Sequence, residues 1–144
     1  MKTNNQPTIE YIFVYGTLMR GMENPVKETL KRHLAYKGAG IIRADLFDLG
    51  EYPGAIKNEK GNQLYGEVYQ LDIKSDVLRV LDEYEGYCDH DVNNAEFVRA
   101  AVEVAFLGKS KVWAWIYWLN PTFGHFGIKI LNKSYRSHLK TKIA

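Results

Sequence analysis

Cysteine is nearly absent: Cys88 stands alone among 144 residues, which excludes an internal disulfide and fits a reducing, cytoplasmic setting. No apolar run approaches the roughly 20 residues of a membrane-spanning helix, so no membrane partner is expected. The polar start, Met1-Lys2-Thr3-Asn4-Asn5-Gln6-Pro7, lacks the apolar stretch of a signal peptide. Neither sign of charge dominates. Nineteen Lys and Arg against 17 Asp and Glu leave +2, too little to imply nucleic acid or an anionic surface. The four histidines, at 33, 90, 125 and 138, show no metal-ligand spacing. Neither a glycine-rich phosphate loop nor a G-x-S-x-G elbow is present. No metal and no organic cofactor is expected. Repeats, low-complexity segments and linkers are also missing.

Aromatic residues are plentiful, 13% of the chain with 10 Tyr and 3 Trp. Tyrosine pairs an apolar body with a polar tip and suits a pocket for a polar small molecule, although any one Tyr also serves a β-rich core. The length suits a single domain over residues 1–144, with a core at about 9–119 and a variable basic tail at 120–144.

The segment at residues 11–18 reads as a short, mostly apolar strand that stops abruptly at Gly16-Thr17. Asn24 and Pro25 open a predicted helix with Val26, Leu30 and Leu34 four apart, stopped by Gly38. Residues 41–49 read as a strand, and residues 50–54 and 58–62 as turns. Residues 64–71 read as a strand in which Gly66 marks a bulge or a close approach. Ser75 caps a second helix, with Asp76 in its first turn, and Gly86 ends it. Residues 97–107 alternate strongly, and residues 112–119 are apolar throughout, as in a strand buried on both faces. Joined by Gly108-Lys109-Ser110, they form a predicted hairpin. Beyond Asn120, the residues Ile130, Leu131, Tyr135 and Leu139 suggest an amphipathic helix whose basic side chains form a solvated face.

Two segments carry candidate chemistry. Tyr15-Gly16-Thr17-Leu18 follows a strand end, where unpaired amides either mark a simple bend or cradle an anion. Glu85 falls in the last turn of a helix, facing the negative end of its dipole between Tyr84 and Tyr87. It is either an exposed acid beside Asp82 and Glu83 or a carboxyl whose raised pKa suits a general base. Cys88 and His90 are close in sequence, but Glu85, Asp89 and Asp91 disfavour a thiolate there. The same loop offers at most a weak metal site.

Together these segments resemble the γ-glutamylcyclotransferase-like (AIG2-like) family. The matching motifs are Phe13-Val14-Tyr15-Gly16-Thr17-Leu18, Tyr52-Pro53-Gly54, Gly66-Glu67-Val68-Tyr69, Leu81-Asp82-Glu83-Tyr84-Glu85-Gly86, Phe97-Val98-Arg99 and the aromatic strand at residues 113–118. Their order and spacing match over residues 11–119, and the tail lies outside the resemblance. Phe97 stands where a tyrosine is common. The resemblance implies an α+β fold, a small mixed β-barrel-like curved sheet with flanking helices, and a pocket at one mouth of the barrel. It implies a small-molecule γ-glutamyl substrate from which 5-oxoproline is released, with Glu85 as general base and acid. The amides of Gly16, Thr17 and Leu18 would hold the substrate, and Tyr15 and Tyr117 would shape the walls. A non-catalytic carboxylate-binding module on the same scaffold is the alternative. The leaving group and the oligomeric state are not legible in the sequence.

Overall fold

A computed structural model of the chain describes residues 8–108, 110–123 and 127–143. The polar start at residues 1–7, Lys109 of the hairpin connection, and Gly124 and His125 of the terminal segment lie outside the described residues.

Strand β1 (Tyr11–Val14) is short and fully embedded, because it pairs on both edges. It runs antiparallel to β4 (Gln63–Leu71) and parallel to β6 (Lys111–Leu119). β6 forms the expected hairpin with β5 (Phe97–Phe106), Phe97 opposite Leu119. The organising element is β2 (Leu34–Asp48), 15 residues long. Its first two-thirds pairs with β4, and at Gly40 and Ile41 it also pairs with β5. That second pairing closes β2-β4-β1-β6-β5 into a barrel. The last part of β2 leaves the barrel and pairs with β3 (Pro53–Lys57) and β7 (Ile128–Ile130). The fold is therefore α+β with a mixed, curved sheet, as the resemblance implies. Phe13, Leu64, Val68, Val104 and Ile116 share one face of the closed sheet and are essentially inaccessible to solvent, as is Ile12 on the other face of β1. Among the described residues, no helix is long and apolar enough to cross a membrane.

Closure is tight where β2 and β4 place two glycines opposite each other, Gly40 and Gly66. A Cβ on Gly66 would lie 2.6 Å from the Phe13 ring and closer still to the Val14 carbonyl oxygen. One on Gly40 would lie 2.6 Å from Val104 Cγ1. The close approach read at Gly66 is thus real, and it lets β1 pack inside the curve.

Several expectations are corrected. The helix starting at Asn24 makes only one turn, α1 (Lys27–Leu30). Asn24 Oδ1 accepts from the Val26 amide and Lys27 Nζ donates to the Met19 and Met22 carbonyls, which anchors that turn. Leu34 then pairs with Leu71 as the start of β2, because the free edge of β4 satisfies more backbone groups than another helical turn. Gly38, read as a helix stop, follows a register shift within β2 at φ +147°. The turn at residues 50–54 is shorter than expected, since Pro53 opens β3 on the sheet edge, where a missing N–H costs no ladder bond. The outer half of β6 is not buried on both faces, and Trp113 is exposed. In the tail, Ile130 belongs to β7 and Leu131 is exposed, so the terminal helix α3 begins only at Tyr135 (Tyr135–Ile143).

α3 is held by charge as well as packing. Buried Asp48 accepts from His138 Nε2 at 2.7 Å, Lys142 Nζ at 2.8 Å and the Gly50 amide at 2.8 Å. Burial alone would raise the Asp48 pKa; Lys142, His138 and Gly50 outweigh it and hold the carboxyl at about 2. Part of the basic tail is therefore internal pairing, not solvated surface.

Gly66→Ala is expected to lower the unfolding free energy by about 1–3 kcal/mol in urea denaturation, through overpacking against β1. Gly108→Ala, whose methyl meets nothing within 4 Å, is expected to change it by less than about 0.5 kcal/mol.

Candidate active site

Helix α2 (Val77–Glu85) buries Val77 and Leu81 against the barrel. It starts after Asp76, and the Ser75 hydroxyl accepts from the Val77 amide at 3.2 Å, close to the expected cap. Gly86 ends it in the left-handed region at φ +71°, donating back to the Asp82 and Glu83 carbonyls. One face of α2 is locked by charge. Asp82 receives Arg99 Nε at 2.8 Å and the Tyr117 hydroxyl at 2.7 Å, from β5 and β6. Arg99 and Tyr117 are cross-strand partners, and the Arg99 guanidinium lies 4.3 Å over the Trp115 ring. Glu85, three residues after Asp82, shares its side of the helix and is carried to the same barrel mouth.

A cavity of about 270 Å³ opens there. Residues 13–18 form one wall, and Glu85 and Tyr84 form another. Tyr52, Pro53, Glu96, Phe97 and Tyr117 complete it. The site residues that the resemblance implies, Tyr15, Gly16, Thr17, Leu18, Tyr117 and Glu85, all line this one cavity. The amides of Gly16, Thr17 and Leu18 donate to no acceptor among the described residues. The loop is shaped instead by the Met19 amide bonding to the Gly16 carbonyl and by Asn24 Nδ2 donating to Thr17 Oγ1. Tyr15 contributes its ring to the wall while its hydroxyl does structural work. It donates to the Tyr117 carbonyl at 2.7 Å and accepts from the Ala55 amide at 3.1 Å, stapling the end of β1 to β6 and β3.

Glu85 is partly buried, and its carboxylate has no hydrogen bond or ion pair among the described residues. Burial, with a further push from the negative Glu96, raises its pKa to about 7. Tyr84 does little to cover it, being exposed and bonded through its hydroxyl to Asn24. The arrangement joins a carboxyl poised near neutrality with free amides across one cavity. It can accept and return a proton beside a bound anion.

The sequence reading missed several residues. Asp82 and Arg99 were noticed only as motif letters; a charged residue inside the alternating apolar strand β5 was the available signal for a buried pair. Glu96 and Tyr52 carried no such signal, because they come from segments far apart in sequence. The structure joins them through a 2.7 Å bond from the Tyr52 hydroxyl to Glu96 Oε2. Cys88, Asp89 and His90 cluster on the exposed surface and do not line the cavity.

A family model described as Gamma-glutamyl cyclotransferase, AIG2-like matches residues 12–137. The chain belongs to that family. The match includes the whole cavity and continues past residue 119, so the family likeness takes in β7 and the start of α3. The chain is 28% identical over 117 residues to a protein of Methanocaldococcus jannaschii named "Putative gamma-glutamylcyclotransferase MJ1514", covering 81% of this chain and 89% of that one. The crystal structure of an AIG2-like protein from Mus musculus superposes with a TM-score of 0.64 at 26% identity, covering 88% of each chain. Uncharacterized protein PH0828 from Pyrococcus horikoshii shares the fold at a TM-score of 0.61 and 21% identity, with 94% of this chain and 98% of that chain covered.

Because the fold favours neutral Glu85, ionising it costs stability as pH rises from the unfolded value of 4.5 through about 7. Glu85→Gln removes that cost. In urea denaturation the variant is expected to exceed the wild type by about 3 kcal/mol at pH 8 and to match it near pH 4. Tyr15→Phe leaves the Ala55 amide without its acceptor and is expected to cost about 1–3 kcal/mol in the same assay.

Proposed function

We propose that this chain is a γ-glutamyl cyclotransferase that releases 5-oxoproline from a γ-glutamyl amino acid, amine or amide. The observation that carries the reading is Glu85, with a pKa near 7, in the same cavity as the amides of Gly16, Thr17 and Leu18, none of them partnered among the described residues. Family membership and the name of the archaeal relative support the reaction class.

The substrate supplies its own nucleophile. Its α-amine attacks its γ-carbonyl carbon, a C–N bond forms, and the bond from that carbon to the leaving nitrogen breaks. Intramolecular attack closes a five-membered ring without a protein nucleophile. The α-amine arrives as an ammonium and must first lose a proton, which ionised Glu85 takes. Protonated Glu85 then returns it to the departing nitrogen. Overall, two of the three ammonium protons end on the leaving amine, which departs as an ammonium, and the ring keeps one as its amide N–H. The Gly16, Thr17 and Leu18 amides hold the substrate carboxylate or the oxyanion that develops on the carbonyl. Tyr15 and Tyr117 keep the walls fixed, since their hydroxyls are committed to scaffold bonds.

Wild-type protein is expected to release 5-oxoproline from members of a γ-glutamyl panel, and Glu85→Gln to lose about 10²–10⁴-fold in kcat/KM. A general base must be ionised, so kcat/KM is expected to rise with pH through a limb near 7. Equal rates in the two proteins would remove Glu85 as the base. Saturable binding without 5-oxoproline release would point to a carboxylate-binding module instead.

A further inference from the structure

The γ-glutamyl group brings one carboxylate and one ammonium to the cavity. In the proposed reading, which this inference rests on, the loop amides meet the carboxylate and Glu85 meets the ammonium. A second cavity carboxylate, Glu96, is then left over. Among the described residues, no Lys, Arg or His side chain lines the cavity to neutralise it.

Glu96 is also held in place from two sides. Its Oε2 accepts the Tyr52 hydroxyl at 2.7 Å, and Tyr52 in turn packs on Phe97. Its backbone carbonyl accepts the Asn120 amide at 2.8 Å. Buried Asn120 clamps the same segment by donating through Nδ2 to the Ala95 carbonyl at 2.9 Å and the Val92 carbonyl at 3.0 Å. The other Glu96 oxygen has no partner among the described residues. A carboxylate so fixed, partly desolvated and half-satisfied is a receptor for a cation. Glu96 and Glu85 line the same cavity, so a bound ligand meets both carboxylates.

We infer that Glu96 is a specificity-determining residue that selects γ-glutamyl amides whose departing amine carries a second positive charge, as a diamine does. The charge balance of the cavity then closes: two carboxylates meet two ammonium groups, and the amides meet the one carboxylate. A leaving group ending in a carboxylate meets Glu96 as a like charge and is rejected.

The test uses three γ-glutamyl amides of matched length, made from a four-carbon diamine, the corresponding alkylamine and the corresponding ω-amino acid. The kcat/KM for 5-oxoproline release is measured for wild type, Glu96→Gln and Glu96→Lys, and binding to Glu85→Gln is measured by calorimetry. The wild type is expected to favour the diamine amide over the alkylamine amide by about tenfold to a hundredfold. Glu96→Gln is expected to bring that ratio close to one, and Glu96→Lys to shift preference to the carboxylate-ended amide. Equal wild-type rates on the diamine and alkylamine amides, or a ratio unmoved by Glu96→Gln, would overturn the inference while leaving the cyclotransferase reading intact. Preferential binding of the diamine amide with no release by the wild type would support the selectivity and sink the reaction. Neither binding nor release overturns both.

Discussion

The cavity depends on one partly buried ion pair, Arg99 with Asp82, and on the Tyr117 hydroxyl that shares the same carboxylate. Hydrophobic contact through Val77 and Leu81 presses α2 onto the barrel, but such contact is non-directional and leaves the helix free to slide or roll. Three polar contacts to a single side chain do not. They fix the rotation of α2 and the depth at which its last turn meets the barrel mouth. The pairing is retained although desolvating two charges is costly, since removing either partner strands the other. Glu85 inherits its position from this lock.

Asp48, Glu67 and Glu85 are withdrawn from water to different ends. Asp48 is saturated by His138, Lys142 and the Gly50 amide. Glu67 accepts from the Arg20 amide and guanidinium and from the Tyr69 hydroxyl. Both join parts of the chain far apart in sequence. Glu85 has neither cation nor donor among the described residues, and there the fold bears its desolvation without compensation. A partly buried acid left unsatisfied on a well-satisfied scaffold is where a ligand is expected to supply the missing partner.

The legible parts of the sequence were those governed by short-range chemistry. Gly86 marked the end of α2 because a left-handed residue is needed there, and so placed Glu85 in the last turn. Alternation along β5 and the apolar run of β6 marked the hairpin, and the strand stopping at Gly16 marked one cavity wall. Features decided by pairing at a distance were hidden. α1 had a good start signal, yet β4 captures Leu34 after one turn. Pro53 looked like a turn residue and is the first residue of an edge strand. Ile130 looked helical and completes a sheet with Leu46. Glu96 and Tyr52 meet only because the barrel closes, and no local pattern announces such a meeting.

The carboxylate of Asp48 grips the Gly50 amide and α3 together, and the turn after Gly50 delivers Tyr52 to the cavity. Tyr52 in turn steadies Glu96. Helix α3 is thereby linked to the cavity wall through hydrogen bonds at Asp48 and Glu96 and the short turn between them. Residues of α3 belong to the inheritance of the pocket even where they never touch its contents, and divergence between relatives in that helix can retune what the pocket admits while its lining stays the same.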